Sequence, residues 1–167
     1  MIQPYAAGDA ARVRELFIAV NRMLAPLHLK EAFETYIARS LREEIDRIED
    51  YYREKQGGFW VALADGGIVG MFGLEEVSDD AMELRRMYVD VSQRRRGVGR
   101  QVLGFAEAEC RRRSRQKLVL STSELQGEAL ALYRSAGYRL LREEIAQSAS
   151  NKTLGGGIRR YHFEKVV

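Results

Sequence analysis

At Gly57-Gly58 the hydrophobic pattern changes period, and that change restricts the fold more than any other feature of the chain. Before it, apolar residues recur at helical spacing. Val13, Leu16, Phe17, Val20 and Leu24 mark one amphipathic helix, and Phe33, Ile37, Leu41, Ile45, Ile48 and Tyr52 mark a second that ends near the glycines. A short strand from Ile2 to Tyr5 precedes both, with Asp9 as the expected N-cap of the first helix. After the glycines come three strand-like segments: Phe59 to Ala64, Ile68 to Glu75 and Met82 to Val91. The turn signals Asp65-Gly66-Gly67 and Ser78-Asp79-Asp80 join them, and turns that short connect antiparallel neighbours.

The remaining third alternates. A helix is expected from about Gly99 to Arg113, then a buried strand at Leu118 to Ser121. A short helix follows through Ala129, Leu132, Tyr133 and Ala136, closed by Gly137. Tyr138 to Ile145 and Ile158 to Val166 read as two last strands around a polar, glycine-rich loop, Gln147 to Gly157. The expected fold class is α/β (α+β). One domain, residues 1–167, holds a mixed, largely antiparallel sheet of about six to seven strands flanked by four helices.

With 46% hydrophobic and 31% charged residues the chain reads as globular. One cysteine, Cys110, excludes an internal disulfide, and no apolar run reaches the roughly 20 residues that span a bilayer. No signal sequence is apparent, so the expected location is cytoplasmic. The net charge is only +3, yet between Arg85 and Lys117 eleven basic residues face three acids, Asp90, Glu107 and Glu109. An anionic partner is the functional reading of that cluster, and a solvated helix face is the plainer one for Arg111 to Arg115.

Arg94-Arg95-Arg96-Gly97-Val98-Gly99 lies between a strand and a helix. The first turn of a helix presents unpaired N–H groups and a positive dipole end, while glycines let a phosphate approach and arginines add charged donors. The loop alone therefore describes a phosphate site, or else a tight turn that packs helix on strand. Two owners fail on spacing. A dinucleotide fingerprint needs a third glycine where Val102 stands, and a P-loop needs Lys-Ser/Thr where Arg100-Gln101 stand.

Glu83-Leu84-Arg85-Arg86-Met87-Tyr88-Val89 leading into Arg94-x-x-Gly97-x-Gly99 resembles the signature of the GNAT superfamily of acyl-CoA-dependent N-acetyltransferases. Ala129-x-x-Leu132-Tyr133-x-x-x-Gly137-Tyr138 is similar to that family's second block. The resemblance is closest over residues 59 to 145. It implies that Met87, Tyr88 and Val89 offer backbone groups to the acyl and pantetheine parts of acetyl-CoA. The pyrophosphate would lie on Arg94, Arg95, Arg96, Gly97, Val98, Gly99 and Arg100. Where the family often has Asn, this chain has Gln126, which also donates and accepts hydrogen bonds. Tyr133 matches the position that protonates the leaving thiolate, although it also sits on an apolar stripe.

Direct transfer to an amine needs a base, because an alkyl ammonium of pKa about 10.4 cannot attack. Glu83 is the expected base: strand alternation would set it on the face of Arg85, Met87 and Val89. Glu75 and Glu76 are its rivals. Cys110 reads as core, and His28 and His162 show no metal-ligand spacing, so no metal is expected. The function implied is acetyl transfer from acetyl-CoA to a primary amine on a small molecule or peptide. An acyl-CoA sensor or scaffold without catalysis and a nucleic-acid-binding module are the alternatives, and neither nucleic acid nor membrane is the expected partner. Residues 25 to 55 and 147 to 157 would wall the acceptor site. The acids Glu31, Glu34, Glu43, Glu44, Asp46, Glu49 and Asp50 read mostly as a solvated helix face. A homodimer is possible through Ile158 to Val166 pairing between subunits.

Overall fold

The computed structural model describes all 167 residues. Strand β1 (Ile2–Pro4) leads to helices α1 (Ala10–Leu24), α2 (Lys30–Glu43) and α3 (Ile48–Glu54). The meander follows as β2 (Gly58–Ala64), β3 (Gly67–Ser78) and β4 (Ala81–Val89). Then come α4 (Val98–Arg112), β5 (Lys117–Ser123), α5 (Gly127–Ser135), β6 (Arg139–Ala146) and β7 (Ile158–Val166). They form one seven-stranded sheet in the order β1-β2-β3-β4-β5-β7-β6. Only the β4–β5 pair is parallel. None of the helices is long and apolar enough to cross a membrane.

Two cores cover the two faces. On one, α4 and α5 pack Val102, Leu103, Ala106, Cys110 and Tyr133 onto Phe72, Leu84 and Leu120. On the other, α1, α2 and α3 pack Phe17, Ile37 and Tyr52 onto Phe59, Val61 and Met71. Gly73 belongs to this second face for steric reasons. A Cβ there would lie 2.4 Å from the Tyr52 ring, so the close seat of α3 on β3 requires glycine.

Four details depart from the periodicity. The second helical stretch breaks at Glu44 (φ −140°, ψ −61°) into α2 and α3. Glu44 is wholly buried rather than solvated, because the break turns its carboxylate inward to the sheet. Asp9 does not cap α1 forward; its carboxylate accepts from the N–H of Ala6 at 2.9 Å and so closes the turn before the helix. β7 lies between β5 and β6, so both its edges are already paired and β6 is the free edge of that side.

The fourth departure is a bulge in β4. Gly73 pairs with Arg85 and Met71 with Tyr88, so Phe72 faces two residues, Arg86 and Met87. Arg86 takes φ +53°, a conformation that costs a residue with a Cβ about 1–2 kcal/mol. The extra residue shifts the pleat by one position. Glu83, Arg85 and Arg86 consequently share the α2–α3 face, while Met87 and Val89 pack on the α4–α5 side. Strand alternation alone had put Glu83 and Met87 on one face; the bulge separates them.

Candidate active site

β4 and β5 pair only from Ala81↔Lys117 to Leu84↔Leu120. Beyond Leu84 the two strands are no longer paired, while on its other edge β5 stays paired with β7 from Lys117 to Ser123. The cleft so opened is lined by Glu83, Met87, Gln126 and Tyr133, with Tyr36 from α2 and Lys152 from the β6–β7 loop. Five of the singled-out residues, Glu83, Met87, Tyr88, Gln126 and Tyr133, thus converge on one place, and the Arg94 to Arg100 segment lies outside it. Residues 25 to 55 reach it through Tyr36, and residues 147 to 157 through Asn151 and Lys152.

The loop after β4 closes against α1 and β3. Asp90 pairs with Arg12 at 2.7 Å and accepts from the N–H of Ser92, which turns the chain toward α4. Arg95 (φ +61°) and Gly97 (φ +83°) both take left-handed φ and curl the segment. The first helical bond of α4 runs from Gln101 N–H to the Gly97 carbonyl at 3.1 Å. From Arg95 to Arg100 the backbone N–H groups have no acceptor within the protein. A run of free donors at a 15-residue helix start suits an oxyanion.

The loop side chains divide. Val98 is buried in the α4 core, so only its main chain can meet a ligand. A Cβ on Gly99 would come within 2.8 Å of Leu132 Cδ2 and 3.3 Å of Met87 Cε, so this glycine also lets α4 close on α5 and β4. A Cβ on Gly97 meets nothing within 4 Å, and its constraint is the positive φ. Arg94 lies 3.6 Å from Glu128, and Arg100 donates to Ser135 Oγ at 2.9 Å. Arg96 reaches Gln93 Oε1 at 3.5 Å.

Tyr133 is buried, and burial holds its phenol well above the ordinary tyrosine range. Its hydroxyl faces a sulfur atom, Met87 Sδ, at 3.8 Å. Gln126 accepts from Thr122 Oγ1 at 2.8 Å, which leaves its amide N–H groups free to donate. Tyr88 sets its ring edge-on to Phe17 of α1 at 5.7 Å, on the opposite face of β4 from Met87.

Below the cleft lies a buried ion network that sequence spacing had not shown. Glu44 bonds Arg85 Nη2 at 3.0 Å, Arg86 Nε at 2.9 Å and the Tyr52 hydroxyl at 2.9 Å. Glu75 bonds Arg85 Nη1 at 3.0 Å and Lys152 Nζ at 2.8 Å, and these two cations outweigh burial and keep its pKa below the ordinary carboxylate value. The Tyr51 hydroxyl touches both Arg85 and Glu75, and burial pushes it up to about 12. Of the three candidate bases, Glu76 points away and pairs with Arg115 at 2.8 Å, and Glu75 is committed to Arg85. Glu83 has a single partner, Lys152, at 2.7 Å.

The basic stretch is largely neutralised inside the chain. Arg85 and Arg86 hold Glu44, Arg112 and Arg113 hold Glu109, and Lys117 holds Asp80. Cys110 is core: burial raises its thiol to about 11. The native protein should therefore resist a thiol reagent at pH 8 and react with it once unfolded, which a colorimetric thiol assay with and without denaturant reads directly.

A sheet whose fourth and fifth strands part before a helix with free N-terminal donors defines an acyl-CoA acyltransferase type of architecture, and the comparisons agree. The family model for the Acetyltransferase (GNAT) domain matches residues 55–140. The chain belongs to the GNAT acetyltransferase family. It is 38% identical over 108 residues to an N-acetylaspartate synthetase of Xenopus tropicalis, covering 60% of this chain and 38% of that protein. It is 33% identical over 116 residues to the N-acetyltransferase family 8 member 3 of Rattus norvegicus, covering 66% and 51%. The matched segment thus spans only about two fifths to half of those relatives. Among solved structures, a PaiA N-acetyltransferase of Thermoplasma acidophilum in complex with coenzyme A superposes with TM-score 0.78 at 17% identity, over 100% of this chain and 98% of that one. A GNAT-family acetyltransferase of Staphylococcus aureus superposes with TM-score 0.74 at 20% identity, over 97% and 96%.

Proposed function

We propose that this chain is a single N-acetyltransferase domain that moves an acetyl group from acetyl-CoA directly to a primary amine. The observation that carries the reading is the run of acceptor-free N–H groups from Arg95 to Arg100 beside the parted strands β4 and β5. The pyrophosphate would take those donors, with Arg94, Arg95 and Arg96 adding charge at the rim. The pantetheine arm would run along the β4 edge freed by the splay, pairing with the backbone of Met87, Tyr88 and Val89 as an added strand does. Gln126 would donate to the same arm. The relatives named as N-acetyltransferases and the coenzyme A complex of a fold relative support the donor assignment.

In the reaction the amine nitrogen attacks the thioester carbonyl carbon, the carbon–sulfur bond breaks and coenzyme A leaves as a thiolate. Glu83 accepts the amine proton, directly or through water. The N–H of Met87 stabilises the oxyanion. Tyr133 faces the leaving sulfur. A thiol of pKa about 8.5 is a stronger acid than even an ordinary phenol at about 10, so complete transfer from the buried Tyr133 is uphill. Its contribution is a hydrogen bond to the thiolate, with the proton supplied finally from solvent.

Thermal shifts with acetyl-CoA, coenzyme A, ATP and NAD test the donor, and thiol release with a panel of amines tests the transfer. Stabilisation by the two coenzyme A species alone is the expected result; none by either ends the proposal. Gly97→Val should abolish most of the acetyl-CoA shift. A branched side chain at φ +83° is strained by about 1–2 kcal/mol, and its bulk crowds the donors that meet phosphate.

A further inference from the structure

Within the cleft, the chain's own β6–β7 loop holds two groups in the places where an acceptor's would lie. The ammonium of Lys152 sits between two carboxylates, 2.8 Å from Glu75 Oε1 and 2.7 Å from Glu83 Oε2. Next to it in the chain, the carbonyl oxygen of Asn151 accepts from two guanidinium groups, Arg85 Nη2 at 3.2 Å and Arg86 Nη2 at 2.5 Å. The bulge makes this second pairing possible. In regular β structure Arg85 and Arg86 would point to opposite faces, and the positive φ at Arg86 brings both to one oxygen.

The charges decide which acceptor these sites suit. Glu44, Glu75 and Glu83 meet Arg85, Arg86, Lys152 and Arg160. Arg160 has only the Ser121 hydroxyl, at 2.9 Å, and no carboxylate partner. The occupied site therefore carries a surplus positive charge. Once Lys152 withdraws, three carboxylates face three guanidinium groups. A plain cationic amine restores the surplus, whereas an amine that also carries a carboxylate leaves the site balanced. Two guanidinium groups aimed at one oxygen bind a carboxylate better than a neutral carbonyl, because charge-assisted bonds are about twice as strong.

We propose that the acceptor is an amino acid, with its ammonium held between Glu75 and Glu83 and its carboxylate clasped by Arg85 and Arg86, and that Asn151–Lys152 hold these places until it displaces them. The inference rests on the acetyl-transfer reading and sharpens it. Glu83 then both receives the ammonium and takes its proton. Side chains of the acceptor would extend toward Tyr36 and Arg160, which line the same cleft.

The test uses the whole chain with acetyl-CoA. The twenty standard amino acids are assayed for thiol release, and each one that reacts is compared with its decarboxylated amine. The expected result is a kcat/KM about tenfold or more in favour of the carboxylated partner. Lys152→Ala, at a half-exposed position, should lower the amino-acid KM about threefold or more and leave the acetyl-CoA thermal shift intact. If acetyl-CoA stabilises the protein but no amino acid reacts, or the decarboxylated amines react equally well, the acceptor assignment fails and the transferase reading stands. An unchanged KM in Lys152→Ala overturns the placeholder role. Absence of any acetyl-CoA shift defeats the underlying reading itself.

Discussion

Glu44→Ala is expected to destabilise the protein by about 3–5 kcal/mol, read as a lower urea midpoint at unchanged slope. Glu44 is fully buried and is the anion shared by Arg85 and Arg86, both themselves buried. Removing it leaves two guanidinium groups close together in a poorly hydrated space, with Glu75 as their one remaining anion beside the Tyr36 and Tyr51 hydroxyls and the Asn151 carbonyl. The Tyr52 hydroxyl loses its acceptor as well. A loss below about 1 kcal/mol would mean that water reaches the network and that it contributes position more than stability. Acid should weaken the same region. The pKa of Glu75 is lowered in the folded state, so its contribution is present above the unfolded value of about 4.3 and is lost as pH falls through the folded one.

Glu83→Gln should reduce kcat by about a hundredfold or more while leaving the acetyl-CoA thermal shift unchanged. Gln preserves size and one acceptor oxygen but cannot take the amine proton. The residual rate should climb with pH toward 10, where a growing share of an amine of pKa about 10.4 is already neutral and needs no base. Kinetics between pH 7 and 10 distinguish this from a positional role, since a misplaced acceptor would stay slow at every pH. A fall in kcat of less than threefold removes Glu83 from the chemistry. Glu75 would then be the next candidate, although its replacement also frees Arg85 and should cost stability.

The parts of the site built from contiguous residues were legible in the sequence. Arg94 to Gly99 and the Leu132-Tyr133 block are contiguous, so their resemblance to a family signature locates them, the first between a strand end and a helix and the second on a short helix. The helix break was not legible, because Leu41, Ile45, Ile48 and Tyr52 continue an apolar rhythm straight across Glu44. Nothing local to Glu44 says that its partners lie some forty residues ahead on β4. The bulge was hidden for a related reason. Arg86 adopts a strained φ only because Glu44 and Asn151 reward it from distant segments, and its neighbours spell an ordinary strand. Lys152 was invisible in the same way, since a lysine in a polar loop normally faces water. Each miss is a long-range ion pair overriding a local pattern.

The placement of β7 has a consequence for the order in which the molecule is made. The last strand in the chain is an interior strand of the sheet, seated between β5 and β6. On a ribosome, a chain that has emerged through β6 can already complete the meander and seat α4 against it. It still has nothing to hold β6, and β5 keeps one edge bare. The wall of the cleft that carries Ser121 and Arg160 therefore closes only when Ile158 to Val166 arrive. Until then the nascent protein holds the strands of the donor side without a finished chamber for the second reactant.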